Sequence, residues 1–333
     1  MALKQPLLFL LLSMSMMIHL SEGEKLSTDY YKSSCPSALD IIRNTIVDKQ
    51  ITSPTTAAGT VRLFFHDCFV GGCDASVLVS SNSFNKGERD ADDNLSLPGD
   101  GFDAIVRAKT ALELTCPGVV SCSDILAVAA RDLITMVGGP FYNVPLGRKD
   151  SITAKVTDVK GNLPQPTMPM SDLIALFAKK GFSVRDMVAL SGAHTIGFSH
   201  CSQFAHRIYN YSNTQSYDPS LNPRYAEGLQ KACSTYHKDP SMSAFNDVMT
   251  PSKFDNMYFQ NLPRGLGLLD SDHALIADDR TKGLVETYAA NQTAFFEDFV
   301  QAIEKLGLYG VKTGNQGEVR KRCDAFNSLD THN

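Results

Sequence analysis

Residues 61–76 read VRLFFHDCFVGGCDAS. Arg62 and His66 stand four residues apart, so on a helix they share one face. Phe64 and Phe65 make that helix oily. An Asp follows the His directly, and then comes a glycine-bearing loop flanked by Cys68 and Cys73. A fixed cation beside an imidazole builds a poor core and a good receptor for a small polar oxygen compound. The rest of the chain has to supply what these two side chains face.

The chain has 333 residues, with 31 basic against 36 acidic and a net charge of −5. That balance argues against nucleic acid or an anionic membrane as the main partner. Residues 1–23 read as a secretory signal peptide. Lys4 gives the positive start, Leu7–Leu12 and the Met-rich run to Ile18 give the apolar core, and Ser21 and Gly23 are small residues near a cut. A membrane anchor is the competing reading, but the run is short and ends at His19, Ser21 and Glu22. No later segment approaches the length of a membrane span. The final SLDTHN is not an ER-retention signal.

Eight Cys stand at 35, 68, 73, 116, 122, 201, 233 and 323. An even count in a secreted chain reads as four disulfides, with about 105 possible pairings. Closeness suggests only Cys68–Cys73. A zinc site finds no CxxC pair to rest on. Sequons occur at Asn94, Asn210 and Asn291.

Helical periodicity dominates. Helices are expected from Pro36 to Ile51, Ala57 to His66, Phe102 to Leu114, after Ser121 as far as Gly138-Gly139, after a Ser171 cap, after a Ser183/Asp186 cap, and from Asn291 to Gly307. The helix after Ser121 is apolar almost all round and so belongs in the middle of the protein. One strand is expected at Phe141–Leu146. The fold class is mainly α with few short strands. Residues 161–169 form a Pro/Gly-rich seam between two halves, and no internal repeat is visible.

Of eight His, two sit in apolar, helix-like sequence: His66 and His194. The small residues Ser191, Gly192 and Ala193 before His194 leave room for a flat, bulky group. His200 and His206 are six apart, which separates their faces on a helix and disfavours a His-only metal cluster. Singly, each feature has an ordinary reading. A buried His is most often satisfied by a carbonyl, and Arg62 alone would be a salt bridge. Asp67, Asp74 and Ser76, with carbonyls at Val70 and Gly72, are hard oxygen donors suited to Ca²⁺, though not at EF-hand spacing.

Together the motifs are specific. RLFFHDCFVGGCDAS, SCSDILAVAARD, VPLGRKD, ALSGAHTIGFSHC and FDNMYFQNL occur in that order. This series resembles the secretory plant (class III) haem peroxidases from Tyr30 to Cys323, with all eight Cys where that family has them. The resemblance implies a two-lobed haem peroxidase fold. Haem b would lie between a distal half (about 24–170) and a proximal half (about 171–333).

It also implies roles. His194 would be the axial ligand of the haem iron, with Asp272 accepting its other ring N–H. His66 would be the acid–base group for peroxide and Arg62 the fixed charge beside it. Phe65 would wall the pocket, and Asn94 would hydrogen-bond His66, which buries its sequon and leaves it unglycosylated. Pro164 would lie at the haem edge where aromatic donors bind. A distal Ca²⁺ would take Asp67, Val70, Gly72, Asp74 and Ser76, with Glu88 through water. A proximal one would take Thr195, Asp247, Thr250, the Lys253 carbonyl and Asp255. The disulfides would be Cys35–Cys116, Cys68–Cys73, Cys122–Cys323 and Cys201–Cys233.

The implied activity is reduction of hydrogen peroxide with one-electron oxidation of small phenolic donors. The implied setting is extracellular, a monomer free or wall-bound, serving phenol coupling of the lignin or suberin type. The chain departs from the family at Asn246, where an aromatic usually flanks the proximal His. It departs again at Asp92 and Gln203, and by one extra residue in LSLPGDGF. Two other readings compete: a catalytically silent haem- and Ca²⁺-binding wall protein, and a Ca²⁺-tied hydrolase with a His–Asp pair. The hydrolase lacks a GxSxG nucleophile motif.

Overall fold

The computed structural model of the protein describes residues 25–327. The signal-peptide segment and His332 lie outside the described residues. The described residues form α1 (Ala38–Thr52), α2 (Thr56–Val70), α3 (Gly99–Thr115) and α4 (Cys122–Met136). Then come α5 (Met170–Lys179), α6 (Val184–Ser191), β1 (Phe198–His200), α7 (Ala205–Ile208), α8 (Pro223–Ala232) and β2 (Ser243–Phe245). Last come α9 (Met257–Asn261), α10 (Asp270–Ala277), α11 (Asp279–Ala290) and α12 (Gln292–Gly307). The class is mainly α, as the periodicity requires. Among the described residues no helix is long and apolar enough to cross a membrane.

The helices pack in two groups. In the first, α1, α2, α3 and α4 pack on one another. In the second, α6 packs on α12 and α11, and α11 on α9 and α10. Helix α2 also touches α12, which joins the groups. Helix α4 is buried nearly throughout, as an all-round apolar helix must be. Ser121 caps it, its side chain accepting from Asp124 N at 3.2 Å. A capping box of Ser183 and Asp186 starts α6. Asn291 caps α12, accepting from Ala294 N at 3.2 Å, and its sequon is exposed.

Two local expectations give way. Helix α5 begins at Met170 after Pro169, so Ser171 is not its cap. The Ser171 hydroxyl instead accepts from Arg280 Nη2 at 3.0 Å. Residues 141–146 form no strand, only one bridge between Ser27 and Leu146, because among the described residues no neighbouring strand lies alongside to complete a ladder. The sheet among the described residues is the antiparallel pair β1–β2, in register Phe198↔Phe245, Ser199↔Ala244, His200↔Ser243. Three residues are too few to show an alternating pattern.

The four disulfides are Cys35–Cys116, Cys68–Cys73, Cys122–Cys323 and Cys201–Cys233. These are the pairs that the resemblance implies. Cys122–Cys323 spans 201 residues and brings the C-terminal segment back to α4. In the chain-entropy picture a loop of that size stabilises by about 5 kcal/mol. Arg320 follows the same return, donating to Ala75 O at 2.5 Å and from its backbone to Asp150 Oδ2 at 2.9 Å.

One close approach needs glycine on both sides. A Cβ on Gly72, where φ is +121°, would lie 2.3 Å from Gly310 O. Gly310 has φ +58° and faces Gly72 in turn. The loop after α2 is thereby pressed against the segment after α12, with Cys73 N donating to Tyr309 O at 3.0 Å.

Candidate active site

Helix α2 presents Arg62, Phe65 and His66 to a cavity of about 320 Å³. The turn after α6, residues Gly192–Thr195, presents His194 to the same cavity. Asp272 and Tyr258 line it behind His194, and Pro164 lines it from the 161–169 segment. One chamber therefore collects residues from 62 to 272.

The His66 ring is held at both nitrogens. Its Nδ1 lies 2.7 Å from Asn94 Oδ1. The Asn94 amide is oriented by its own donation to Glu88 O at 2.8 Å, which leaves Oδ1 as the acceptor. Nδ1 therefore carries the proton, and Nε2 keeps its lone pair. Arg62 Nε donates to that Nε2 at 3.2 Å. Asn94 is buried with both amide atoms engaged, so its sequon offers no group to a glycan.

Arg62 is clamped as well. Nη1 donates to Ser96 O and Nη2 to Ser96 Oγ, each at 2.9 Å. Ser96 lies in LSLPGDGF, and its part is not legible from the motifs. Burial lowers Arg62 to about 10, so it stays charged at neutral pH. Burial, and next the Arg62 charge, bring His66 down to about 3, against a weaker opposite pull from Asn94. His66 is thus a neutral base over the whole physiological range.

On the other wall, His194 Nδ1 lies 2.9 Å from Asp272 Oδ1. Asp272 is 1% exposed. Burial would raise its carboxyl, but His194, Leu269 N–H and Tyr258 outweigh that and hold it below the ordinary carboxylate range. With Nδ1 so engaged, His194 has Nε2 free towards the cavity. The room beside His194 lies at two of the three small residues. Ser191 and Ala193 line the cavity, but the space at Gly192 is taken by Phe295, whose ring a Cβ would meet at 2.3 Å.

The cavity lining suits a mainly apolar group held by one nitrogen ligand. Phe65, Leu163, Leu190, Ile196 and Leu275 supply apolar lining, and His194 Nε2 is an unengaged ligand. Asp92, Gln203 and Asn246 all line the same cavity. Asn246 Oδ1 accepts from Ser199 Oγ at 2.7 Å. Tyr258 is the aromatic beside His194, edge-on at 5.8 Å and 84°. His200 lines the cavity from β1, whereas His206 bonds Asp270 on the surface at 2.6 Å. The two do not share a helix at all.

Two oxygen clusters flank the chamber. In the first, Asp67 accepts from Asp74 N at 3.1 Å and Ala75 N at 2.9 Å. Asp67, Asp74 and Glu88 are all buried. Burial and then Asp74 push Asp67 well up, and the same two causes push Glu88 up to about 8. Ser76 Oγ and Glu88 Oε2 are buried without a hydrogen-bond partner. Crowded carboxylates beside orphaned oxygens suit a hard cation. Two lysines also reach in: Lys312 Nζ binds Asp74 Oδ2, and Lys180 Nζ lies 3.4 Å from Val70 O. Neither was anticipated.

In the second cluster, Thr195 Oγ1 lies 3.3–3.4 Å from Asp247 Oδ2, Lys253 O and Asp255 Oδ1. Thr250 Oγ1 lies 3.1 Å from the same two carboxylates. One hydroxyl proton cannot serve three acceptors, so this cradle also suits a cation. Among the described residues no three His, Cys, Asp or Glu side chains alone form a metal centre. Both clusters depend on hydroxyls and carbonyls as well.

Known proteins resemble this chain in sequence over most of its length. The sequence profile of the peroxidase family matches residues 42–291. Peroxidase 63 of Arabidopsis thaliana is 60% identical over 321 residues, 96% of this chain and 96% of that protein. Peroxidase 31 of the same plant is 60% identical over 303 residues, covering 91% and 94%. Peroxidase 41 is 57% identical over 323 residues, covering 97% and 98%.

Proposed function

Because the chain belongs to the plant (class III) peroxidases, we propose that it reduces hydrogen peroxide to water while oxidising small phenolic donors one electron at a time. The observation that carries this is the single chamber holding Arg62 and His66 from α2 together with His194 and its partner Asp272. His194 Nε2 would hold haem b. When bound, haem supplies the centre that takes two oxidising equivalents from peroxide and passes them on singly.

The chain's own residues handle the protons. His66 Nε2 takes the proton from one peroxide oxygen and returns it to the other, which leaves as water. Asn94 keeps the ring in the tautomer that can do so. Arg62, fixed by Ser96, offers a permanent charge to the departing oxygen without reorganising. Asp272 orients His194 and strengthens it as a donor. Pro164 would sit at the rim where aromatic donors bind, with the polar Asp92 and Gln203 nearby on the same lining.

The flanking clusters would hold two Ca²⁺ ions: Asp67, Val70, Gly72, Asp74, Ser76 and Glu88 on one side, and Thr195, Asp247, Thr250, Lys253 and Asp255 on the other. The first is continuous in sequence with His66 and the second with His194. The division into a distal half and a proximal half near residue 170, secretion to an extracellular space, and work as a monomer, free or wall-bound, belong to the same reading.

The test is the visible spectrum of the purified protein before and after hydrogen peroxide. A Soret band that changes on adding peroxide is expected. No Soret band would sink the haem reading, and an unresponsive one would favour the silent wall protein.

Two further outcomes are expected. Prolonged chelation should lower activity and thermal stability together, because buried carboxylates lose their counter-ion. An ion at a hundred times its dissociation constant contributes about 2.7 kcal/mol. Activity and melting temperature both unmoved by chelator would rule out the Ca²⁺ sites. The pH profile should also be flat on its acid side. His66 must be neutral to take a proton, and its lowered pKa of about 3 keeps it neutral as pH falls through 6.5. Stopped-flow rates of the peroxide step should hold from pH 7 to below 5. A half-loss near 6.5 would mean an ordinary, solvated histidine.

A further inference from the structure

Tyr258 has no part in the mechanism above, yet it makes a specific contact there. Its side chain is 1% exposed, on α9, within a cluster otherwise rich in Phe: Phe254, Phe259, Phe295 and Phe299. Its hydroxyl donates to Asp272 Oδ1 at 2.8 Å. That is the oxygen His194 Nδ1 meets at 2.9 Å. The other oxygen, Oδ2, accepts from Leu269 N at 2.9 Å. Asp272 therefore has three donors, and two of them compete for one oxygen. Tyr31 and Tyr288 also donate to carboxylates, whereas the buried hydroxyls of Tyr142 and Tyr225 find no partner; of these phenols, Tyr258 alone meets the carboxylate that holds His194.

We infer that Tyr258 is a positioning residue for His194, acting through Asp272 to set how strongly the imidazole donates to a bound haem iron. The inference rests on the haem reading above. The phenol fixes Oδ1 in place and draws off part of its negative charge. A carboxylate so shared is a weaker acceptor for the His194 N–H. The ring then carries less imidazolate character and pushes less electron density to the metal. The hydroxyl thus raises the iron's midpoint potential relative to a site with Asp272 bound to His194 and Leu269 alone.

The experiment compares wild type with Tyr258→Phe, both loaded with haem, by spectroelectrochemical titration and by the iron–imidazole stretch of the ferrous protein. Tyr258→Phe keeps the ring and its packing. Its midpoint should move to more negative potential and its stretching frequency should rise. A wild type without a Soret band overturns the haem reading and this inference with it. A normal Soret band with an unchanged or more positive midpoint overturns the Tyr258 role alone. Should Tyr258→Phe fail to accumulate, 3-fluorotyrosine placed at 258 makes the same donor stronger and should shift the midpoint upward. No shift there would count equally against the inference.

Discussion

Replacing His66 by Ala is expected to slow the reaction with hydrogen peroxide by about 10²–10⁴-fold at pH 7, while haem stays bound. The two proton transfers fall on one atom, Nε2, which the Asn94 contact at Nδ1 leaves unprotonated. Arg62 cannot replace it: burial lowers that guanidinium only to about 10, so it has no lone pair to offer at neutral pH. His194 is committed to Asp272 on the other wall. The variant removes no haem contact from His194, so the Soret band should be retained and the rate alone should fall. Stopped-flow mixing with peroxide measures it. A rate within a few-fold of wild type would remove His66 from the mechanism.

The second large effect concerns stability. Asp124→Ala is expected to destabilise the protein by about 3–5 kcal/mol, the usual result of leaving one member of a buried ion pair alone. Asp124 is 0% exposed and its partner Arg148 is 1% exposed. Asp124 Oδ1 accepts from Arg148 Nη1 at 2.9 Å, and Oδ2 accepts from Gly147 N and Tyr31 OH, each at 2.7 Å. Arg148 goes on to Gly307 O, at the end of α12, through Nε at 3.1 Å. One carboxylate thus joins the first turn of α4, the N-terminal Tyr31, the 145–148 segment and, through Arg148, the last long helix. Its loss strands a guanidinium among carbonyls. Against a total of roughly 5–15 kcal/mol the loss is severe. Urea midpoints would measure it. The pair Asp124→Leu with Arg148→Met should recover much of the loss, since well-packed apolar replacements of buried pairs are often tolerated. A single variant as stable as wild type would show that the pair contributes nothing.

Asp124 and Arg148 also show where reading the sequence stops. SCSDILAVAARD and VPLGRKD are both visible as motifs, and the first is plainly a buried helix. That their charged residues meet, 24 positions apart, cannot be seen in either. Arg62 and His66 are the opposite case, because a four-residue interval on a helix is a contact by construction. The Asn94 contact to His66 and the Asp272 contact to His194 were available only through the family resemblance, since no periodicity links residues 28 or 78 apart. Ser96, Lys312 and Tyr258 escaped both routes. A serine clamping a guanidinium, a lysine on a loop carboxylate and a phenol on a shared oxygen carry no spacing signature.

Some local signals misled for physical reasons. The run at 141–146 has strand-like residues, but a strand needs a neighbour, and among the described residues only Ser27 comes alongside Leu146. Gly192 looked like space kept for a cofactor, yet Phe295 from α12 fills it. A small residue shows that something approaches closely, not what approaches.

By itself the sequence determined the helical class, the buried central helix, the shared face of Arg62 and His66, and the oxygen-rich loop that follows them. These are properties of intervals of a few residues, where backbone geometry turns spacing directly into contact. The tertiary structure alone decided which walls of the chamber face each other, which oxygen of Asp272 His194 shares with Tyr258, and which lysines enter the first oxygen cluster. Those contacts join residues tens to hundreds of positions apart. Their geometry comes from the packing of α2, α6, α9 and α12, and no local rule encodes it.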